Sequence, residues 1–430
     1  EHWDEKRREV AQLGVPVMPY TNGVRVAGIP IGVPGFVDCE LDKALESAVQ
    51  LAEGIKSLAE LDLQSALLLL RYCLPGKVTH LLRTLPPEET QQLAREFDGV
   101  LLRTYLKLMR IELPECFENN TFDLPSEELV MAQIRAPIRQ GGMGLPAMVQ
   151  ERDACHAASF FLTACIMHGV PGMGDFLDAV DTPAARRGEL TKVQVQMVDA
   201  IEERREKIPE DDEMHRELEP ETLKRTLAGR PTRGMQARLI NAVPSADLLR
   251  LGTHRDTARI ESVSAQGAQA YLTVVPRCRD TRLNSDQMLI SGLMALGLPL
   301  PHLAGVRKCC WDHCMDESGR HLVASGCGLS SSGALNGCYK SVRHDRLVTI
   351  WVRLIERAGL RGSREPPVMP GMPQDRRADI LVHDFPSFGE VTYCDLTVRA
   401  VQKGDGGLVQ SYTRGVPGSV AAAAVKEKQR

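Results

Sequence analysis

The residues best suited to chemistry are the cysteines and histidines between residues 309 and 338. Five of the twelve cysteines of the chain fall in this stretch. One set of four side chains, with the spacing C-x3-C-x6-H-x5-C, offers the three thiolates and one imidazole that suit tetrahedral zinc. These residues are Cys310, Cys314, His321 and Cys327. Four protein ligands leave no open position for water, so such a zinc site is structural.

Two alternatives remain open for this cluster. Cys309, His313 and Cys338 are spare residues, any of which could replace one of the four ligands. The cluster could also be a reduced cysteine-rich loop that binds no metal. A disulfide framework fits poorly, because such frameworks belong to short secreted chains with a signal peptide, and this chain starts with polar residues. The pattern therefore favours an intracellular metal site.

Two aspartates further along the chain form a second candidate site. Asp379 begins the strand-like run ADILV, and Asp395 lies inside the alternating run VTYCDLTV, on one face with Tyr393 and Thr397. A carboxylate in an apolar strand is costly to bury unless it is paired or binds a cation. If both strands present their aspartates to one point, the oxygens suit Mg²⁺, which polarises a phosphate and activates water.

Other polar residues extend this second site. Glu365, in a proline-rich turn, is a weaker extra ligand. A lysine would complete a nuclease centre, but Thr397 stands two residues after Asp395, so the candidates are Lys426 and Lys428 on an alanine-rich terminal helix. The simpler alternative is that both aspartates are ordinary strand-end carboxylates and that the two lysines are solvated.

The elements that must position these residues are predicted to be mainly helical. Aromatic residues make up only 4% of the chain, so its core must be rich in Leu, Val and Ala. Asp62 is expected to cap a helix. Residues 24–37 are predicted to form strands and loop, and residues 140–145 a glycine turn. Apolar residues recur at helical spacing over residues 39–59, 63–72, 87–109, 125–134, 151–168, 222–300 and 343–359.

Charge is spread unevenly along the chain. The net charge of -4 excludes a uniformly basic nucleic-acid binder. Residues 301–430 hold 18 Lys and Arg against 13 Asp and Glu, which is +5, so the last third is best suited to polyanions, although chance variation is the alternative. Residues 202–221 hold ten acids and four bases and are predicted to form a solvated helix end and linker.

Length and hydropathy limit the class of protein. A chain of 430 residues is expected to hold two to four domains. No apolar run approaches the roughly 18 residues that span a bilayer, and no signal peptide is present, so the protein is expected to be intracellular without a membrane partner. The missing initiator Met indicates a fragment of a longer product.

The order of these features resembles the region downstream of the polymerase palm in non-LTR retrotransposon polyproteins that carry a C-terminal restriction-like endonuclease. GIPIGVPGFV (28–37) resembles the segment that leads from the palm to the thumb, and residues 61–87 resemble the helical thumb. APIRQGGMGLP (136–146) is similar to a recurring glycine-rich turn. AQAYLTVVP (268–276) and LMALGLPLP (293–301) resemble the linker before a zinc knuckle. The Cys–His cluster and the later runs RHD, RADI and DLTV resemble that knuckle and the endonuclease.

The resemblance implies a fold class and a domain order. The fold is mainly α, with a helical thumb and linker, followed by a small zinc-binding segment and a C-terminal α/β restriction-endonuclease-like domain. The implied domains are a post-palm segment (1–38), a thumb-like region (39–200), an acidic linker (201–225), a helical linker region (226–305), a zinc knuckle (306–342) and an endonuclease domain (343–430). Truncation of the last domain at Arg430 is an open alternative.

The resemblance also implies a role for each candidate residue. The four zinc ligands are those named above. Asp379 and Asp395 become the magnesium ligands of a PD-(D/E)XK-like core, with Glu365 as an extra carboxylate and Lys426 or Lys428 as a displaced catalytic lysine. Ala378 departs from the family pattern, which usually has Pro there. The nucleic-acid-binding residues are Arg343, His344, Arg376 and Arg377.

The implied reaction is phosphodiester hydrolysis in chromosomal target DNA. The nick leaves a 3′-OH that primes reverse transcription, so the partners are target DNA and element RNA, and the location is the nucleus. No Phe/Tyr-Ala-Asp-Asp hairpin is present, so this fragment should not polymerise DNA without the N-terminal polymerase region. The alternatives are a catalytically inactive zinc-containing relic that only binds nucleic acid, and a helical scaffold that binds none.

Overall fold

The structure is a computed structural model that describes residues 23–112, 125–167, 192–227, 234–242, 248–278, 281–303, 338–364, 379–384, 387 and 390–394. These residues are mainly helical, with a few short strands, as the sequence predicts. Leucine and alanine, which dominate the core, are also strong helix formers. None of the described helices is both long and apolar enough to cross a bilayer.

The first described element is a β-hairpin. β1 (Val24–Val26) pairs antiparallel with β2 (Ile29–Ile31) across a turn in which Gly28 has φ 84°. The sequence predicts strand and loop throughout residues 24–37, but α1 (Pro34–Ala59) begins inside that range. Proline suits the first turn of a helix, where its missing N–H would find no helical partner. The helix therefore starts earlier than its apolar periodicity indicates.

Two of the next helices match their predictions. α2 (Leu63–Tyr72) is capped by Asp62, whose Oδ1 accepts a hydrogen bond from the backbone N–H of Ser65 at 2.9 Å. This bond satisfies one of the N–H groups that a helix start leaves unpaired. α4 (Pro87–Leu108) begins at its proline, with two glutamates in the first turn.

Helix α3 (Gly76–Thr84) lies between them and is missing from the sequence prediction. Pro75 and Gly76 indicate the end of a helix in the sequence, but in the fold Pro75 is the N-cap of α3. The four helices enclose one core of mostly aliphatic side chains. Its fully buried members include Ile55, Leu70, Leu74, Leu82, Phe97 and Leu101.

A glycine turn joins α5 (Glu127–Arg135) to α6 (Met148–Met167). In this turn Gly141 has φ 84°, and a Cβ at this position would lie 2.7 Å from the backbone oxygen of Ile260. Glycine alone adopts such a conformation without strain and leaves room for that approach. The glycine turn predicted over residues 140–145 is confirmed.

A second group of helices has its own core against α6. It comprises α7 (Lys192–Glu206), α8 (Glu213–Glu217), α9 (Pro220–Leu227) and α10 (Met235–Ala242). The sequence predicts a solvated linker over residues 202–221, but Ile208, Met214 and Leu218 are buried in this core. These apolar residues stand between the acids, so the acidic segment has one apolar side that packs while most of its acids face water.

Gln133 of α5 connects the first group to the helices that close over it. Those helices are α11 (Leu248–Leu251), α12 (His254–Val263) and α13 (Ser285–Leu296). The buried Gln133 amide donates to the carbonyls of Gly141 at 2.8 Å and Ala295 at 3.0 Å. Arg259 of α12 donates from Nη1 to Gln133 Oε1 at 2.8 Å. One side chain thus links α5, the glycine turn, α12 and α13.

The C-terminal unit consists of one helix and a small sheet. Its elements are α14 (Cys338–Arg357), β3 (Arg361–Arg364), β4 (Ile380–His383) and β5 (Val391–Cys394). β4 pairs antiparallel with both neighbours. Val348 of α14 packs on Ile380 and Val382. The sequence prediction starts this helix at Arg343, but it begins at Cys338, so the predicted boundary between zinc segment and endonuclease domain falls inside one helix.

We expect Gln133→Leu to lower the free energy of unfolding by about 2 kcal/mol or more. Leucine cannot replace the buried hydrogen bonds, and each buried polar group left without a partner costs roughly 1–3 kcal/mol. Urea unfolding followed by circular dichroism measures the change. Gln92→Leu, at an exposed position of α4, is the matched control and should shift stability by less than about 0.5 kcal/mol. Equal losses in the two variants would contradict this role for Gln133.

Candidate functional site

The C-terminal sheet has one face under α14 and one open face. Ile380 and Val382 of β4 are only 1% and 4% exposed, because they pack against the helix. Leu381 and His383 alternate with them and are half-buried on the opposite face. Asp379 directly precedes β4 and, by the alternation of strand side chains, belongs to the open face with Leu381 and His383.

The strand register places three residues side by side at the end of the sheet where β4 begins. Arg364 of β3 lies opposite Ile380, and Ile380 lies opposite Cys394 of β5. We call these three residues the terminal row. Glu365 follows Arg364 in the sequence and Asp395 follows Cys394, and both lie outside the described residues.

Asp379 is the predicted magnesium ligand that the structure does describe. It is half-buried and has an interaction partner in the fold. The prediction that it stands at the start of a strand is confirmed. The candidate lysines Lys426 and Lys428 and the candidate arginines Arg376 and Arg377 lie outside the described residues.

The predicted zinc ligands also lie outside the described residues. They are Cys310, Cys314, His321 and Cys327, with Cys309 and His313 as the spare candidates. The third spare candidate, Cys338, begins α14, and the backbone of Arg343 and His344 continues that helix. Within the part of the chain that is described, no three His, Cys, Asp or Glu side chains converge as they would around a metal ion.

Arg364 holds the terminal row against α14. Its Nη1 donates to Thr349 Oγ1 at 3.1 Å, and its Nη2 lies 3.9 Å from Asp345 Oδ1. Both charged partners are largely exposed, so the ion pair adds little stability. The two contacts of Arg364 instead hold the end of β3 against α14, directly before Glu365 in the sequence.

Asp384 directly follows β4, at the end opposite the terminal row, and begins the turn toward β5. It adopts φ 59°, and its backbone N–H donates to the carbonyl of Glu390 at 2.7 Å. Its carboxylate lies 3.6 Å from Arg361 Nη2. Asp384 is therefore an acidic residue of the same strand pair that stands away from the terminal row.

A group of titratable side chains at the start of α6 is not predicted by the sequence analysis. Asp98 of α4 accepts hydrogen bonds from the backbone N–H groups of Met148 at 2.8 Å and Val149 at 3.2 Å. Arg135 Nη1 lies 3.5 Å from the same carboxylate. A carboxylate beside the N-terminus of a helix accepts hydrogen bonds from the unpaired N–H groups there and is attracted by the positive end of the helix dipole. Asp98 therefore caps α6.

The same group continues between α6 and α7. Asp153 is fully buried, and its Oδ2 lies 3.0 Å from Lys207 Nζ. Arg204 donates to the carbonyls of Gln150 at 2.9 Å and Leu239 at 2.7 Å. These bonds join α6, α7 and α10, so the arrangement is a structural junction between the two cores.

Burial shifts the pKa values in this junction. It raises the pKa of Glu151 to about 7, and it raises the pKa of Asp98 although Arg135 and two backbone N–H groups oppose the shift. Burial lowers the pKa of His156 and raises the pKa of the Cys155 thiol to about 12, which makes that thiol unreactive. Charged residues inside the otherwise apolar pattern of α6 are the sequence signal for this junction.

Comparison with known proteins assigns no family to the chain. No protein-family model and no curated protein matches it. We therefore base its function on the residues of the chain itself, above all on those around the terminal row.

We expect Glu151→Gln to make stability less dependent on pH. A carboxyl whose pKa is raised in the folded state stabilises the fold while it is protonated, so stability falls as pH rises from about 4.5 to about 7. The variant should be more stable than the wild type at pH 8 by about 1–3 kcal/mol and should lose this advantage at pH 5. Thermal unfolding at both pH values measures the difference. The exposed Glu46→Gln is the control for loss of charge, and a constant difference between Glu151→Gln and wild type would contradict the expectation.

Proposed function

We propose that the chain is the part of a non-LTR retrotransposon polyprotein that follows the polymerase palm, and that its C-terminal unit is a Mg²⁺-dependent endonuclease. In this proposal the unit nicks target DNA, and the new 3′-OH primes reverse transcription of element RNA. The helices before it correspond to the thumb and linker. A zinc knuckle and a restriction-like α/β domain complete the chain.

The observation that carries this proposal is the register of the C-terminal sheet. The residues that directly follow β3, precede β4 and follow β5 are Glu365, Asp379 and Asp395. If the register continues for one residue beyond the terminal row, the three carboxylates fall in one line across the sheet. Adjacent strands lie about 4.8 Å apart, and directly opposed residues share a face. The proposal places that line on the open face, away from α14.

Three carboxylates in one line suit metal-dependent hydrolysis. Carboxylates this close repel one another unless a cation or a proton lies between them. Their oxygens match the ligands that Mg²⁺ prefers. A divalent ion bound there would polarise a phosphate and activate water for attack. In the proposal Asp379 and Asp395 hold the ion, Glu365 assists, and Lys426 or Lys428 stabilises the charge that develops on the phosphate.

The charge of the last third of the chain supports DNA as the substrate. Residues 301–430 carry a net charge of +5, from 18 Lys and Arg against 13 Asp and Glu. Phosphate contacts need only such cations and carry no sequence information. We propose Arg343, His344, Arg376 and Arg377 as phosphate-binding residues. This charge also fits a relic that binds nucleic acid without cutting, which only a test of activity separates from an enzyme.

We also propose that Cys310, Cys314, His321 and Cys327 hold a structural zinc. Three thiolates and one imidazole fill a tetrahedral shell and leave no position for a substrate. The segment between α13 and α14 is rich in Gly and Ser, so metal binding rather than a hydrophobic core would supply its folding energy.

We expect Asp379→Asn to abolish Mg²⁺-dependent nicking of supercoiled plasmid by the zinc-loaded chain. Asparagine keeps the size of the side chain but removes the charge that holds the cation. Removal of one such electrostatic group should lower the nicking rate at least about 100-fold. Conversion of supercoiled to open-circular plasmid on an agarose gel measures the rate. Asp395→Asn should behave in the same way.

Asp384→Asn is the matched control for that experiment. It removes an aspartate from the other end of the same strand pair, and asparagine tolerates the positive φ found there. It should leave nicking intact. Plasmid that shifts in a gel but is cut by neither wild type nor variant would establish the binding relic, and a chain without salt-dependent DNA binding would establish the scaffold.

We expect the purified chain to hold about one zinc ion, and Cys314→Ser to lose it, because a serine hydroxyl is a poor replacement for a thiolate. Metal content by plasma mass spectrometry after gel filtration measures the ratio. Cys39→Ser is the control, since Cys39 is an exposed cysteine of α1 far from the cluster in sequence. A zinc-free wild-type chain, prepared with zinc in the medium, would favour the reduced cysteine-rich loop.

A further inference from the structure

Helix α14 has a side that the sheet does not cover. Val348 packs on the sheet, whereas Ile350, Trp351 and Leu354 are 48%, 49% and 45% exposed. With 3.6 residues per turn, Ile350 and Leu354 lie on the opposite side of the helix from Val348, and Trp351 lies at the edge between them. Large apolar side chains that are exposed together and bordered by polar residues mark interaction surfaces.

Two arginines border this apolar patch on the Ile350 side, and Trp351 lies on its opposite flank, about 140–160° around the helix from them. Arg346 and Arg353 are exposed, and neither forms an ion pair with another residue in the described part of the chain. Together with Ile350, Thr349 and Asp345 they line a shallow depression of about 410 Å³. The Asp345 carboxylate, which also lines the depression, pairs with Arg364 of β3 rather than with Arg346 or Arg353.

We propose that this surface, the outer face of α14 formed by Arg346, Ile350, Trp351, Arg353 and Leu354, binds a single-stranded nucleic acid. The Trp351 ring and its apolar neighbours stack against unpaired bases, and the guanidinium groups hold phosphates. Arg346 and Arg353 are separated by about 10 Å along the helix axis, which lets them contact different phosphates of one strand. Stacking together with cationic contacts is the general mode by which proteins hold single strands.

The arrangement favours a single strand over two other anionic partners. In a duplex the base faces are already stacked, so an exposed tryptophan gains nothing from them. A membrane-surface helix buries its main apolar face in the lipid, but in α14 that face is occupied by Ile380 and Val382 of the sheet.

The outer face stands independently of the proposed nuclease site. The sheet lies between them, because Asp379 belongs to its open face and α14 covers the other. A strand bound to α14 is therefore held without being cut there. Binding at the outer face would survive the loss of Asp379, and nicking activity is not needed to observe it.

The test is fluorescence anisotropy of the full chain with fluorescein-labelled 20-nucleotide oligothymidylate, with oligouridylate as a second probe that distinguishes DNA from RNA. Trp351→Ala should weaken binding at least about 5-fold, the effect of losing one stacking platform. Trp351→Phe should recover most of that loss, since it retains an aromatic ring. Circular dichroism and thermal unfolding confirm that the variants fold.

The arginines are tested by salt dependence. Each phosphate contact with a single strand contributes about 0.7 to the slope of log affinity against log salt, so Arg346→Ala/Arg353→Ala should reduce that slope by about 1.4. Arg361→Ala is the matched control, because this arginine of β3 is 79% exposed but lies on the other side of the sheet. It should leave the slope nearly unchanged.

Three results would overturn the proposal. The first is an affinity that Trp351→Ala leaves unchanged. The second is an equal loss of slope in Arg361→Ala and the double variant, which would mean that general charge rather than this face binds the strand. The third is that the chain does not bind the oligonucleotide but floats with phosphatidylserine vesicles, and that Trp351→Ala abolishes this flotation. That result would make the face a membrane-binding surface. Failure of nicking alone leaves each of these measurements unaffected.

Discussion

The C-terminal unit depends on one contact, the burial of Ile380 and Val382 against Val348 of α14. Side chains alternate along a strand, so a register shift of one residue would expose both of them and turn Asp379 and His383 toward the helix. This penalty holds β4 in place, and its hydrogen bonds hold β3 and β5 beside it. Three aliphatic side chains thereby determine the face of the sheet on which Asp379 lies.

The same contact gives the unit two chemically different sides. The open face of the sheet carries Asp379 at the start of β4, and the outer face of α14 carries Trp351 on one flank of its apolar patch and Arg346 and Arg353 on the other. The sheet separates the proposed carboxylate site from the proposed strand-binding face, so in these two proposals the unit would hold a strand on one side and leave the carboxylates available on the other.

In the helical region, buried polar groups select one packing of the helices, which the aliphatic core alone does not do. Leucine and alanine pack in many arrangements at similar cost, whereas a buried amide or carboxylate is stable only with its own partners in place. Gln133 links α5 to α12 and α13, Asp98 caps α6, and Arg204 joins α7 to α10. We therefore regard these groups as the features that select one packing of the helices.

The sequence by itself determined what depends on neighbours along the chain: the mainly helical composition, the Asp62 cap of α2, the glycine turn at Gly141 and the strand that begins after Asp379. Only the tertiary structure decided that Pro75 begins a helix, that an acidic segment packs its apolar side, and that Asp98 caps a helix 50 residues away. Caps and turns arise from bonds over a few residues, which their spacing reveals. Burial and long-range partners arise from contacts between distant segments, and no local pattern encodes which segments meet.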